Sequence, residues 1–193
     1  PKGGYLTTDT TLIREDFTQN IPDPIQIGPL LRIGSFSSTI YLLRKDGLAL
    51  LDGKTFNTSP LDWGRLPSSR VRDMLVDGNE LYVATDHGVG IIRGMRCTSL
   101  NASNGLPIED ITCLARGFEN DLWIGTSHGL IRRTGKDFEY FGVGNWLPDG
   151  HVNSICVNGK SVIVATNQGL STLSYEPYTL AKKAAWYERE IEE

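Results

Sequence analysis

Three histidines, His87, His128 and His151, are the side chains of this 193-residue chain best suited to exchange a proton near neutral pH. Two of them sit in matching tripeptides, Asp86-His87-Gly88 and Ser127-His128-Gly129, and Asn167-Gln168-Gly169 repeats the pattern without histidine. Asp46 and Asp149 add carboxylates and Arg65 a guanidinium. Trp63 and Trp146 offer broad faces that stack on sugar rings, while Gln168 offers an amide for hydroxyls. Asp46, Trp63, Arg65, Asp86, His87, His128, Trp146, Asp149, His151 and Gln168 are therefore the candidate ligand-binding residues.

The same residues have a plainer explanation. Asp, Asn, Ser and His are what tight turns favour, and Trp63 and Trp146 stand just before a Leu-Pro step where they can plug a gap in packing. Repetition alone places His87 and His128 in equivalent positions, so they need not converge on one atom. No close ligand pair suggests a metal site, and no cofactor is expected. There is no Gly-x-Ser-x-Gly elbow, phosphate loop or His-Glu-x-x-His helix, so no catalytic residue is assigned. An enzyme acting on polysaccharides would draw on His151 or His128 as base, with Asp149 or Arg65 beside it.

The elements that must position these residues are repeats. Ile40-Tyr41-Leu42-Leu43-Arg44-Lys45-Asp46-Gly47-Leu48 recurs from Leu81, from Leu122 and from Val162, and its glycines, Gly47, Gly88, Gly129 and Gly169, are 41, 41 and 40 residues apart. A degraded copy spans Gly4 to Leu12. Leu66-Pro67, Leu106-Pro107 and Leu147-Pro148 keep the same phase, each followed by a β-branched residue at Val71, Ile111 and Val152. A third marker is an aromatic at Phe17, Phe56, Phe138 and Tyr178, replaced by Cys97 in the middle copy.

Each copy reads as four short strands, in the clearest case Ile111 to Ala115, Leu122 to Thr126, Leu130 to Arg133 and Asp137 to Phe141. Between the second and third strands the glycine is expected to end a three-residue hairpin loop in the left-handed conformation. A four-stranded unit cannot bury both faces alone, so the units must stack, and radial stacking makes a propeller. The fold class is all-β: an arc of about five four-stranded blades over residues 1–179, the first incomplete, with further blades expected upstream. Residues 180–193 carry Leu180, Ala184, Tyr187 and Ile191 at helical spacing and predict a C-terminal amphipathic helix, a linker or the start of a further domain. In such an arc, the hairpin turns and the links between blades share one face, and the candidate residues collect there.

Composition narrows the partners. A net charge of -4, spread along the chain, gives no footprint for nucleic acid, and no apolar run approaches the ~20 residues of a membrane span. Cys97, Cys113 and Cys156 lack the spacing of redox or zinc motifs and read as small buried residues. Cys113 and Cys156 are read as opposite in parity on aligned strands, so no disulfide is expected between them. The sequons at Asn57 and Asn101 matter only in a secreted eukaryotic protein.

The pattern Leu-Trp-Ile-Gly-Thr-x-x-Gly-Leu at Leu122, followed by the Phe138 strand, together with Asn104-Gly105-Leu106-Pro107, resembles the two-component-regulator propeller repeat. Weaker forms of the repeat extend from Gly4 to Tyr178. The resemblance implies a propeller in the extracellular or periplasmic part of a larger protein. In sensors of this type such propellers bind oligosaccharides, and a β-sandwich follows them. Here Ala181 to Ile191 instead is similar to the opening of a helical domain found after such propellers in large extracellular proteins. The function expected is non-catalytic binding of a glycan or protein, with the propeller of a polysaccharide lyase or hydrolase and the input domain of a signalling receptor as alternatives. The partners are that ligand and the remaining blades of the parent protein.

Overall fold

The computed structural model describes residues 3–7, 11–16, 25–26, 29–36, 39–44, 47–52, 55–57, 66–94 and 96–175. Runs of Val, Ile, Leu, Tyr and Trp, cut every few residues by Gly, Asn or Asp, form eighteen strands there. These make five antiparallel meanders in chain order. The first is β1 (Gly3–Thr7), β2 (Thr11–Asp16) and β3 (Ile25–Gln26). The second is β4 (Leu30–Phe36), β5 (Thr39–Arg44), β6 (Gly47–Asp52) and β7 (Thr55–Asn57), and the third is β8 (Val71–Asp77), β9 (Glu80–Thr85), β10 (Gly88–Arg93) and β11 (Arg96–Leu100). The fourth is β12 (Ile111–Arg116), β13 (Leu122–Thr126), β14 (Gly129–Thr134) and β15 (Asp137–Phe141). The fifth is β16 (Val152–Asn158), β17 (Ser161–Thr166) and β18 (Gly169–Ser174).

This is the β-propeller arc of about five blades that the repeat predicts, and the strand bounds of the fourth blade match its reading from sequence within one residue. In the first sheet, the strand pairing with β2 is Ile25–Gln26, while Phe17 lies outside the described residues. So do Tyr178 and the helix expected over 180–193.

From the second sheet onward the innermost strands β4, β8, β12 and β16 are neighbours in space. Each boundary is sealed by its own apolar cluster. Leu43, Leu48, Val71 and Met74 lie in the one between the second and third blades, with Leu66 against them. Val89, Leu106, Ile111 and Leu114 do the same between the third and fourth, and Leu130, Leu147, Val152 and Val164 between the fourth and fifth. The Leu-Pro marker is thereby explained: its leucine is the plug of the boundary it precedes. At 25 cal/mol per Å² of apolar area, burying one such leucine stabilises by about 2 kcal/mol.

The turns differ from expectation. Thr85 pairs with Gly88, Thr126 with Gly129 and Thr166 with Gly169, so the loops contain two residues and the glycine is the first residue of the next strand. Its φ is 115, 141 and 136° in the three copies, outside the left-handed helical well and accessible to glycine at little cost. The threonine locks the turn. Its hydroxyl donates to the glycine carbonyl at 2.8, 2.7 and 3.0 Å and accepts from the N–H of His87, His128 or Gln168.

The cysteine reading is corrected in two respects. No disulfide joins the three cysteines, but Cys156 is exposed and Cys97 half-buried, and only Cys113 is buried. Cys113 stands two residues after Ile111 and Cys156 four after Val152, the same parity, so each faces the following blade. The two thiols do not meet for that reason.

Candidate functional site

Each inner strand begins with a β-bulge, between Leu30 and Arg32, Val71 and Asp73, Ile111 and Cys113, and Val152 and Ser154. The extra residues are Leu31, Arg72, Thr112 and Asn153. A bulge re-aims a side chain, and here two of the polar ones reach forward to the next blade. Arg72 Nη1 donates to the Ile111 carbonyl at 3.3 Å and pairs with Asp110 at 2.7 Å. Thr112 Oγ1 donates to the Val152 carbonyl at 2.5 Å. Asn153 turns instead to the Asn167 side chain at 3.0 Å.

After the bulges of the second and third blades, Arg32 and Asp73 carry a second set of ties. Asp73 accepts from the N–H of Met74 and, across the boundary, from that of Leu114, at 2.8 and 2.9 Å, and receives Arg32 of the preceding blade at 2.9 Å. One carboxylate thus joins three blades. Burial pushes its pKa above the ordinary carboxylate range in spite of those partners.

Above this ring, on the turn-bearing face, Arg72, Asp110, Thr112, Ser127, His151, Val152 and Asn153 line a pocket of about 470 Å³. The third, fourth and fifth blades all contribute. The Ser127 N–H donates to the Asp110 carbonyl at 3.0 Å and the backbone of His128 lies against Gly150, which holds the fourth blade's hairpin against the two flanking links. Arg72 and Thr112 are committed to the next blade. The His151 ring makes no hydrogen bond to a described residue, and it is the group best placed to meet a ligand.

The sequence-derived candidates separate into several places. His151 lines this pocket, and Asp149 positions it by accepting its N–H at 3.1 Å. His128 is exposed beside it, with Nδ1 at 2.8 Å from the Ser127 hydroxyl. Asp86 and His87 form a separate pair one blade away, 2.9 Å apart, with Arg70 at 3.4 Å from the other carboxylate oxygen. Burial alone would raise the Asp86 pKa, but hydrogen bonds from Ser68 and His87 and the charges of His87 and Arg70 bring it below its usual value. Gln168 is exposed on the fifth blade's turn, away from the pocket lining. Trp146 is not at this pocket. It packs edge-on against Phe141, ring centres 5.4 Å apart, in an outer cleft between the fourth and fifth blades. Asp46, Trp63 and Arg65 lie outside the described residues.

Sequence reading missed Arg72, Thr112 and Asn153, although each follows the β-branched marker by one residue and all three are polar. It also missed a buried cluster around Arg132. That guanidinium contacts Asp121, Glu119 and Glu139 at 2.6, 3.2 and 3.3 Å, and it lies over the rings of Phe118, Trp123 and Tyr175. Among the described residues, no three His, Cys, Asp or Glu side chains group as a metal site.

No family model and no curated protein matches the chain. Solved structures do. The extracellular domain of a hybrid two-component system from B. thetaiotaomicron is similar with a TM-score of 0.67 at 18% identity, over 88% of this chain and 26% of that one. A virginiamycin B lyase from Staphylococcus aureus, in a catalytically inactive histidine-to-alanine form with quinupristin, gives 0.63 at 14% identity over 90% and 63%. PorZ, a surface component of the type-IX secretion system of Porphyromonas gingivalis, gives 0.53 at 14% over 86% and 24%. The chain therefore spans about a quarter of the length of the sensor-type domain it resembles. At these identities the likeness shows the fold, a β-propeller arc.

Proposed function

We propose that this chain is the ligand-binding part of an extracellular or periplasmic propeller, and that it binds a glycan or a protein without turning it over. The observation that carries this reading is the 470 Å³ pocket into which three blades deliver polar groups, with the His151 ring unpaired among the described residues. Two of its other polar groups already serve the architecture: Arg72 pairs with Asp110, and the Thr112 hydroxyl donates to the Val152 carbonyl. What remains suits hydrogen bonding to a polar ligand more than the acid, base and charge stabiliser of a catalytic centre. The likeness to extracellular domains of two-component systems supports both a sensing role and the location.

The partners proposed are that ligand and further blades of a parent protein. The outward face of the fifth blade supports the second, because Leu170 is 72% exposed there.

The test is calorimetric titration of the chain with oligosaccharides, together with product analysis. Saturable binding that His151→Ala weakens about tenfold, with no product formed, is the expected result. Product formation abolished by His151→Ala would instead establish a lyase or hydrolase. A specific observation favours keeping that second reading: a propeller of similar fold is a lyase inactivated by loss of one histidine.

A further inference from the structure

The repeat dictates what a blade boundary contains, so side chains that break it mark something else. The outer cleft between the third and fourth blades is lined by Ile91, Thr98, Leu100 and Phe138, among others. One repeat later the positions of Ile91, Thr98 and Leu100 hold Arg132, Glu139 and Phe141. The equivalent cleft between the fourth and fifth blades, of about 300 Å³, is walled by Phe118, Trp123, Phe141, Trp146 and Tyr175, with Arg132 and Glu139 among them.

Three further features describe what fits. Trp146 is 51% exposed, meeting Phe141 edge-on, whereas the ring of Tyr175 is already covered by Arg132 and Phe118. Trp123 is only 3% exposed, and its indole N–H has no hydrogen-bond partner among the described residues, a costly state for a buried donor. Three carboxylates surround one guanidinium, so an anion is repelled, and the aromatic faces best suited to a cation are already taken by Arg132. A neutral ring with apolar faces and hydroxylated edges matches the rest. Its C–H faces stack on Trp146, and its hydroxyls donate to Glu139 at the cleft's edge.

We propose that this cleft is a second binding site, which takes a pyranose ring of a neutral oligosaccharide. It shares with the preceding reading only the class of ligand, and no lining residue with the His151 pocket.

The test titrates the full chain with linear oligosaccharides of glucose, xylose, mannose and galactose, followed by tryptophan fluorescence and ligand-observed NMR. At least one sugar is expected to give a saturable response. Trp146→Ala should weaken it about tenfold without changing the melting temperature, and His151→Ala should leave it unaltered. The proposal is overturned if no sugar saturates in the millimolar range, or if binding follows His151 and is indifferent to Trp146. It is equally overturned if Tyr178→Ala alters the tryptophan emission while sugars do not, since the chain's own later residues would then fill the cleft.

Discussion

Leu130 and Leu170 each follow a hairpin glycine, in consecutive blades, and their surroundings are opposite. Leu130 is 0% exposed, beneath Leu147 and Val152 of the following link and blade, whereas Leu170 is 72% exposed. The difference extends along the whole face. Cys113 is buried against Val152, while Ser154, its counterpart, is exposed, and Thr112 reaches a carbonyl of the next blade where Asn153 reaches only a neighbouring turn. Identical strand grammar therefore yields a core position or a surface position according to whether another blade follows in space. The apolar face of a blade is half of an interface, and the repeat supplies the other half.

Substitutions at matched positions break or sharpen this comparison. The largest effect is expected at the hairpin glycines. A Cβ on Gly88 would stand 2.3 Å from the Leu100 carbonyl oxygen, whereas one on Gly169 meets nothing nearer than Pro148 at 4.0 Å. Both also carry a positive φ, so Gly88→Ala should cost about 4 kcal/mol and Gly169→Ala about 1 kcal/mol in denaturant unfolding. Equal costs would show the fifth blade's turn to be as enclosed as the third's.

Next in size is the leucine pair itself. Leu130→Ala should destabilise by about 3 kcal/mol through the cavity it leaves. Leu170→Ala should stay within about 0.5 kcal/mol, the range of surface changes. A large cost at Leu170 would mean that something covers it in solution.

Asp73→Asn should cost about 2 kcal/mol, because an amide turns a donor toward one of the two N–H groups that the carboxylate accepts. The pH dependence adds a sign. Burial leaves the folded carboxyl with a raised pKa, so the native state holds its proton more tightly than the unfolded chain does. Acidification from above that raised value to below the usual carboxylate range should thus stabilise the wild-type protein relative to Asp73→Asn. The opposite trend would mean that the Arg32 ion pair outweighs burial.

The smallest effect is chemical rather than energetic. Burial lifts the Cys113 thiol to about 11, and Cys156 lies on the uncovered face. Alkylation followed by mass spectrometry should label Cys156 well before Cys113 in the native protein. Simultaneous labelling would mean that the boundary between the fourth and fifth blades opens readily.

The repeat was legible because its markers are the packing residues themselves. Gly88, Gly129 and Gly169 fix where strands turn, and Leu106 and Leu147 fix where blades meet. The two-residue length of the turns was hidden, because the threonine hydroxyl that closes them looks in sequence like any other strand residue. The facing of the bulge residues was hidden for a different reason. A bulge inserts a residue and interrupts the alternation from which facing is inferred, so Arg72, Thr112 and Asn153 could be aligned but not aimed. His151 was chosen on chemistry alone, and it lies in the pocket lining. Trp146, expected with the hairpin turns, lies instead against Phe141 in the outer cleft. Arg132 escaped notice because an arginine in a strand reads as solvated until its three carboxylates are seen.

The bulge ties also have a direction. Arg72 and Thr112 each donate to the blade that comes later in the chain, which contributes a backbone carbonyl and, for Arg72, the Asp110 carboxylate as well. During synthesis, the third and fourth blades therefore each display a side-chain donor before its acceptor has been made, and the inner strand that follows meets a partner already in place. Across these two boundaries assembly can follow chain order, since the side chain stands on the side that is made first.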